Sequence, residues 1–207
     1  MGLAENITVT RNNIYRGTCQ VAVSNASYSS FPGEIESVIN PTTYAIAAGY
    51  TPLGGTSEDG VVIRRSAELS EGISIDQRRT NLDEGEPDSW GMEAELTLME
   101  TDLDNLAIAW EGGTVVDITG SQINQKMMPI SAPGTFTEKV FIVVQEDVKT
   151  GRLRVAAMRK ATPMVDGSEL NMQKSSATGL ALKLKLKADE DIAEHHGAFG
   201  KMFEETL

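Results

Sequence analysis

The stretch that decides the fold is residues 89–113, SWGMEAELTLMETDLDNLAIAWEGG. Its first part alternates in polarity from Met92 to Glu100. In an extended chain, successive side chains point to opposite faces, so Glu93, Glu95 and Thr97 would share one face and the apolar side chains the other. This pattern predicts a β-strand with one buried face.

The second part of the stretch predicts a short helix. Thr101 stands where an N-cap is favourable, and Asp102 and Asp104 place negative charge beside the exposed amides of the first turn. Helical spacing gives one apolar stripe, made of Leu103, Leu106, Ala107 and Trp110. Gly112 and Gly113 predict the end of the helix, because glycine adopts the left-handed conformation readily. The helix can bury its stripe, and the strand its apolar face, if the helix packs over a sheet that contains the strand.

Length and composition predict a single domain, residues 1–207, that is large enough to bury a core. The formal net charge of -12, from 30 acidic and 18 basic residues, argues against a surface that grips nucleic acid, which needs clusters of lysine and arginine. It is compatible with a surface that nucleic acid passes without adhering. Cys19 is the one cysteine, so neither an intrachain disulfide nor a cysteine zinc site is possible. The N-terminal residues predict no signal peptide, and the sequence predicts no membrane-spanning segment.

Two further patterns predict strands that pair with others. In residues 179–187 the leucines fall on one face and the lysines, Lys183, Lys185 and Lys187, on the other. The lysine row is explained by a solvated face, by a guarded sheet edge, or by pairing with Glu93 and Glu95 on a neighbouring strand. Residues 138–145 (EKVFIVVQ) are apolar on both faces, which predicts a strand covered on both sides. Together with the alternating residues 152–158 they predict an antiparallel hairpin.

The rest of the chain predicts long loops. Residues 24–60 and 76–89 are predicted to be arms or loops, and residues 189–207 a polar C-terminal tail. Gly54-Gly55 and Asp59-Gly60 are turn signals that predict a new strand from Val61. A strand is predicted over residues 114–118, followed by a proline-containing loop over residues 122–136.

The sequence lacks the patterns of catalytic chemistry. His195 and His196 are the only histidines, and adjacent side chains do not chelate a metal well, so both are predicted to be solvated. No nucleophile elbow or phosphate-binding glycine motif is present. Glu93 and Glu95 could serve as an acid–base pair, but an outward polar face is the simpler interpretation. The sequence therefore predicts no enzyme, no metal and no cofactor.

The chain resembles the major tail tube proteins of long-tailed (siphovirus-type) bacteriophages. The resemblance rests on the Leu53-Gly54-Gly55 turn with the Thr56–Val61 segment after it, and on the Glu95–Glu100 strand followed by a short helix ending in glycine. The late pair of strands and the final alternating strand fit the family's order. In layout the similarity covers residues 49–203.

The resemblance implies a mainly β fold, a β-sandwich or barrel-like domain with one flanking α-helix and long loops. It implies stacked hexameric rings in the virion tail, assembled in the bacterial host cytoplasm, that form the conduit for DNA ejection. The implied partners are other copies of the chain, the tape-measure protein, the tail terminator and distal tail proteins, and DNA in transit without sequence-specific binding. The residues expected in assembly loops are Leu53, Gly54, Gly55, Asp59, Gly60, Arg78, Arg79, Asp83 and Glu84. Those expected to place charge on the lumen or on a sheet face are Glu93, Glu95, Lys183 and Lys185.

Two alternatives stay open at the level of the sequence. One is the ring-forming tube protein of a related injection or secretion machine, which would pass protein and not DNA. The other is a monomeric β-sandwich binding module, which would stay monomeric at high concentration.

Overall fold

The structure is a computed structural model that describes residues 17, 19–24, 31–69, 74–75, 80–81, 87–111, 113–120, 123–130, 137–164, 166, 168–171, 179–192 and 197–206. The strands are β1 (Cys19–Ser24), β2 (Tyr50–Leu69), β3 (Ser74–Ile75), β4 (Thr80–Asn81), β5 (Pro87–Leu98), β6 (Val116–Thr119), β7 (Asn124–Met127), β8 (Lys139–Glu146), β9 (Leu153–Pro163), β10 (Glu169–Asn171), β11 (Gly179–Lys187) and β12 (Gly200–Glu204). The helices are α1 (Leu103–Ala109) and a 3₁₀ turn, Ile35–Ser37. The predicted mainly β fold is confirmed.

Eight strands form one antiparallel sheet in the order β10-β11-β5-β2-β1-β8-β9-β12, and β9 also pairs with β11. This extra pairing makes the sheet barrel-like, because it links the two ends of the run from β11 to β9. Two strands form the corners. The first part of β2 pairs with β1 and the rest with β5, while β9 pairs along its length with β8 and near its end with β11. Strands that pass from one half of a sheet to the other by a bulge or bend are the usual way to turn such corners.

Two apolar clusters hold the fold together. The interior cluster lies inside the barrel and takes buried side chains from all six of its strands, including the four leucines of β11. The outer cluster lies on the other face of β1, β8 and β9, where Val38, Ile39 and Tyr50 cover it. The strand at residues 138–145 is therefore covered on both sides, and its pairing with β9 forms the predicted hairpin. Both predictions are confirmed.

The strand–helix unit is also confirmed, with changes at both ends of the helix. Leu106 and Ala109 pack in the interior cluster beside the end of β5. The N-cap is Asp102, not Thr101, and its carboxylate accepts a hydrogen bond from the Asn105 amide at 2.8 Å. A left-handed residue after the helix is Glu111, with φ 48°. Of the two predicted glycines, Gly113 has no positive φ, and Gly112 lies outside the described residues.

Three loop predictions are wrong. Residues 50–60, at the end of the first predicted arm or loop, belong to β2, which runs through both predicted turns. Residues 124–127 form β7, which pairs with β6. In the predicted C-terminal tail, β12 pairs with β9. Residues 87–89, at the end of the second predicted arm or loop, begin β5.

Candidate assembly surfaces

Charged side chains from three neighbouring strands meet on the outer face of the barrel. We call them the charge ladder: Arg64 of β2, Glu93 and Glu95 of β5, and Lys183 and Lys185 of β11. The register places Lys183 opposite Glu95, and both Lys185 and Arg64 opposite Glu93. The Lys183 ammonium lies 3.0 Å from a carboxylate oxygen of Glu93 and 3.5 Å from one of Glu95, and Arg64 forms an ion pair with Glu95. The hypothesis that the lysine row pairs with Glu93 and Glu95 is confirmed for Lys183. Lys185 is opposite Glu93 in the register, whereas Lys187 forms its ion pair with Glu138, at 2.8 Å.

The ion pairs of the ladder favour the charged forms of Glu95 and Lys183. The hydrogen bond from Arg64 is the main reason why the pKa of Glu95 is lowered. The hydrogen bond to Glu93 is the main reason why the pKa of Lys183 is raised. Because these side chains are partly exposed, water screens the pairs and each adds little stability, so the ladder mainly fixes which strand faces lie together.

The ladder does not present an unbalanced negative face. Its two carboxylates lie among three cationic side chains, so Glu93 and Glu95 do not form the repelling surface that the negative net charge suggested. The ladder is equally not a cationic cluster, because Arg64 and Lys183 are in ion pairs. It therefore offers phosphate groups no concentrated positive site.

The second half of β2 carries an open strand edge. From Val61 to Leu69 it pairs with β5, whereas β1 pairs only with residues 50–55. Among the described strands none lies along the other edge of residues 61–69. Such an edge offers backbone donors and acceptors to another strand, and natural proteins usually cover or shorten it.

The same two strands extend beyond the barrel as a two-stranded arm. Pairing of β5 with β11 stops at Met92, whereas its pairing with β2 continues to Pro87. Five residues of β5 at about 3.3 Å each carry this arm roughly 16 Å past the last β11 partner. An isolated two-stranded ribbon is marginally stable in water, so the arm is a segment that gains from contact with a neighbour.

The described residues that were expected in assembly loops all lie in strand β2. Leu53 is a core residue with no exposed surface, so that assignment is wrong. Gly54 and Gly55 lie inside β2, and Gly54, with φ 92°, sits so close to the Glu100 side chain that a Cβ would come within 2.4 Å of it. Asp59 and Gly60 lie in a bulge, where Gly60 has φ 70°, and line a shallow groove of about 300 Å³ beside the charge ladder. Arg78, Arg79, Asp83 and Glu84 lie outside the described residues, as do His195 and His196.

Helix α1 is fixed to the barrel by one buried amide. Asn105 donates hydrogen bonds from Nδ2 to the Leu53 carbonyl at 2.9 Å and to the Glu100 carbonyl at 3.0 Å. Leu53 belongs to β2 and Glu100 follows β5, so one side chain joins the helix to two strands. The sequence gives no signal for this role, because an asparagine inside a helix is more often exposed.

The hairpin of β6 and β7 stands apart from the barrel. All eight of its residues are exposed. Because residues opposite each other share a face, Val116, Ile118 and Met127 lie on one side and Asp117 and Lys126 on the other. The Lys126 ammonium lies 2.5 Å from an Asp104 carboxylate oxygen of α1, and this hydrogen bond raises the pKa of Lys126. The polar face is thus tied to the helix, and Val116, Ile118 and Met127 on the other face are exposed.

An apolar cleft of about 500 Å³ opens near the other end of the barrel. Ile63, Met92, Met158, Phe199 and Met202 supply apolar lining, and Arg65 and Lys201 supply positive charge. Met92 is six residues from Leu98, so the cleft lies about 20 Å along β5 from the end that carries α1. The sequence did not reveal this cleft, because its lining comes from five strands and the C-terminal segment.

A buried ion cluster ties the C-terminal segment to β9. The Asp189 carboxylate lies 3.3 Å from Arg159 and 3.1 Å from Lys160, and its side chain is 7% exposed. The hydrogen bond from Lys160 is the main reason why the pKa of Asp189 is lowered. The Arg159 guanidinium also lies 3.9 Å from the centre of the Phe31 ring, which adds a cation–π contact.

No family model matches the chain, and no curated protein matches it. Within the described ranges, no group of three or more histidine, cysteine, aspartate or glutamate side chains could hold a metal ion. No helix in the described part of the chain is long and apolar enough to cross a membrane.

Proposed function

We propose that this protein is a structural subunit that assembles with copies of itself into stacked rings, the tail tube of a long-tailed bacteriophage. In that assembly it forms the conduit through which DNA leaves the virion. Its partners there are the tape-measure protein during assembly and the terminator and distal tail proteins at the tube ends. The proposal follows from the resemblance described above, and the fold supports it in the ways given next.

The open edge of β2 is the observation that carries the proposal. Nine consecutive residues, Val61–Leu69, have a strand partner on one side among the described strands. Copies arranged in a ring could each pair this edge with a strand of the next copy, and a closed ring leaves no edge over. The arm lies on the same two strands and lengthens the surface available to a neighbour.

The charge ladder is consistent with a wall that nucleic acid passes. It covers the outer face of β2, β5 and β11, next to the open edge, so ring closure through that edge would repeat the ladder around the ring. Because Arg64 and Lys183 are in ion pairs with Glu95 and Glu93, they attract a passing phosphate only weakly. A ladder of this kind would let DNA slide past without holding it.

Electron microscopy of the purified, concentrated protein tests the proposal. Hollow tubes of uniform diameter built from stacked rings are expected. Single globular particles at every concentration would overturn it.

Proline substitutions in the arm test the role of the edge. The backbone amides of adjacent strand residues point to opposite edges of the strand. One of the two variants Ser66→Pro and Ala67→Pro therefore removes an amide that donates to β5, and the other removes an amide on the open edge. Both positions lie beyond the barrel, where β2 pairs with Gly91 and Trp90. The open-edge variant should keep the melting temperature of the wild type and lose tube formation. Normal tubes from both variants would show that the open edge of β2 is not the assembly contact.

The apolar cleft favours a second candidate, a monomeric binding module for a small apolar ligand. A cavity of about 500 Å³ is within the range that small-molecule sites occupy. A protein that stays monomeric at high concentration, and whose melting temperature rises on addition of a hydrophobic dye or fatty acid, would support this candidate against the tube.

A further inference from the structure

We propose that β12 is an exchangeable strand: within an assembly, the β12 of one copy leaves its own β9 and pairs with the β9 of a second copy. Residues 154–158 of β9 are then an acceptor site for a strand of the same chain. This inference rests on the proposed self-assembly, and it concerns a contact separate from the open edge of β2.

Strand β12 is an edge strand that contributes little to the fold of its own copy. It pairs with residues 154–158 of β9, and no described strand lies along its other edge. Three of its five residues are exposed, and Met202 is 67% exposed. The pairing of β9 with β11, which closes the barrel, does not involve β12. The barrel can therefore stay closed when β12 leaves.

The site on β9 that β12 occupies favours the return of a strand. With β12 in place, Val155 and Ala157 of β9 are 0% and 2% exposed, and Phe203 of β12 packs against the same outer cluster. Without β12, the backbone groups of residues 154–158 on this edge would lose their partners. An open strand edge of this kind recruits another strand.

The contacts around β12 select a second copy of the same chain as the donor. The Arg154 guanidinium lies 3.1 Å from a Glu204 carboxylate oxygen, and the Leu153 amide donates to the Glu205 carboxylate at 3.1 Å. The Glu205 amide in turn donates to the Leu153 carbonyl at 2.9 Å. A β12 strand from another copy carries the same side chains in the same register, so it remakes each of these contacts. Exchange of an identical element is a low-cost route to association for this reason.

The connection between β11 and β12 is long enough to reach a neighbouring copy. Lys187, at the end of β11, is opposite Lys160, and Gly200, at the start of β12, is opposite Met158. The two strands thus lie end to end on one edge of β9, about 7 Å apart. The chain between them, residues 188–199, could extend about 40 Å. This excess length allows β12 to cross to another copy.

The hinge of the exchange lies between Asp189 and Ala198. A buried ion cluster holds Asp189 on β9, and its backbone amide donates to the Ala198 carbonyl at 3.0 Å. In the exchanged form, Asp189 stays on its own barrel and receives the Ala198 carbonyl of the second copy, so this hydrogen bond is remade. Opening the hinge breaks the turn in which the Ile192 amide donates to the Asp189 carbonyl at 2.9 Å. The exposed residues Glu190 and Asp191 lie in this turn.

Assembly supplies the concentration that the exchange needs. In dilute solution each copy pairs with its own β12, because pairing within the chain makes the same contacts without the entropy cost of association. Copies that are held side by side by another contact, such as the open edge of β2, present their β9 edges to each other at a high effective concentration. Once strands are exchanged, two copies separate only after β12 is withdrawn. The exchange should therefore slow the dissociation of the assembly.

Disulfide formation between two different variants tests the exchange. Both variants carry Cys19→Ser, so that the native thiol does not react. One carries Ala156→Cys in β9 and the other Met202→Cys in β12, two positions that face each other in the register. Facing residues of antiparallel strands have a Cα separation that a disulfide accepts. The variants are mixed as dilute monomers, concentrated until they assemble, and oxidised. The mixture should give at least tenfold more covalent dimer than either variant alone.

Val148→Cys, in place of Ala156→Cys, is the matched control, because Val148 is 75% exposed in the β8–β9 turn and does not pair with β12. Mixed with the Met202→Cys variant, it should give no more dimer than either variant alone. Equal cross-linking of Met202→Cys with Val148→Cys and with Ala156→Cys would overturn the proposal. An absence of dimer from Ala156→Cys and Met202→Cys, at a concentration where the protein is assembled, would also overturn it.

A chain that carries both Ala156→Cys and Met202→Cys provides a second measurement. Oxidised as a dilute monomer, it should form a disulfide within the chain, which locks β12 on its own β9. Assemblies of the locked protein should dissociate at least tenfold faster on dilution, followed by light scattering, than assemblies of the same protein kept reduced. Equal dissociation rates would contradict the exchange.

The outcomes separate the exchange from the proposed function. Tubes in the microscope without cross-links between Ala156→Cys and Met202→Cys would refute the exchange and leave the proposed function standing. Cross-linked oligomers that never form tubes would support the exchange and refute the proposed function.

Discussion

Replacing Asn105 with alanine should remove about 3 kcal/mol from the free energy of unfolding. The side chain is 5% exposed, and its Nδ2 donates to two backbone carbonyls at 2.9 and 3.0 Å. Each hydrogen bond contributes roughly 1 kcal/mol net, and depriving the buried Leu53 carbonyl of this donor adds about 1 kcal/mol or more. The N-cap bond is preserved, because it is the Asn105 backbone amide that donates to Asp102.

Urea unfolding followed by circular dichroism, at a concentration where the protein is monodisperse, measures this loss. With a slope of about 2–3 kcal/mol per molar urea, the midpoint should fall by about 1–1.5 M. Asn105→Asp is the sharper variant, because it keeps the shape and turns an anionic oxygen toward two carbonyl oxygens. It should be less stable than the alanine variant.

Asn124→Ala, at an exposed position of β7, is the matched control and should change the free energy of unfolding by less than about 0.5 kcal/mol. A loss below about 0.5 kcal/mol for Asn105→Ala would refute the reasoning. An Asn105→Asp variant as stable as the wild type would refute it as well, because the amide would then not be a required donor.

Two further predictions concern charge. Asp189→Asn should cost about 3 kcal/mol, because it leaves Arg159 and Lys160 without their buried partner. The folded pKa of Asp189 lies below its ordinary value of 3.8, so the stability that the carboxylate contributes is complete at neutral pH and is lost as the pH falls through the folded pKa. The free energies of unfolding of the wild type and of Asp189→Asn should therefore converge in acid. Stability curves that stay parallel down to the lowest pH would contradict this. Lys183→Glu should lower the melting temperature, because it places a third carboxylate beside Glu93 and Glu95. The decrease in melting temperature should be smaller in about 1 M salt, which screens the repulsion. A decrease that does not depend on salt would indicate a packing effect.

Strong periodicity explains what the sequence could predict. The alternation in β5 and β11 decides which side chains are buried, because a slip of one residue would reverse every side chain. It also placed Glu93 and Glu95 on the face that opposes Lys183 and Lys185, so the cross-strand pairing followed once the two strands were neighbours. The hairpin of β8 and β9 was predicted for the same reason.

The errors come from signals that have two structural meanings. Gly54 and Gly60 predict turns, because many turns need positive φ, but a bulge inside a long strand can need the same backbone conformation. Short strands such as β7 and β12 carry too few residues to establish a period, so pairing with β6 and β9 decides their structure.

The candidate assembly surfaces depend on contacts that sequence patterns do not encode. Val116 and Ile118 alternate as a buried strand would, yet their face is exposed, because the tie between Lys126 and Asp104 fixes the orientation of the hairpin. The cleft requires five strands and the C-terminal segment to come together. Only the assembled barrel reveals that the two surfaces lie near opposite ends.

Strand β2 belongs both to the barrel and to the arm, and this arrangement has a mechanical consequence. Its first residues are paired inside the barrel, and its last residues reach beyond it on the arm, so a pull on the arm is delivered along the strand. The hydrogen bonds between antiparallel strands lie perpendicular to the strands. A force along β2 therefore shears all of its hydrogen bonds with β5 together and does not break them one after another. A filament linked through this strand would resist stretching along it.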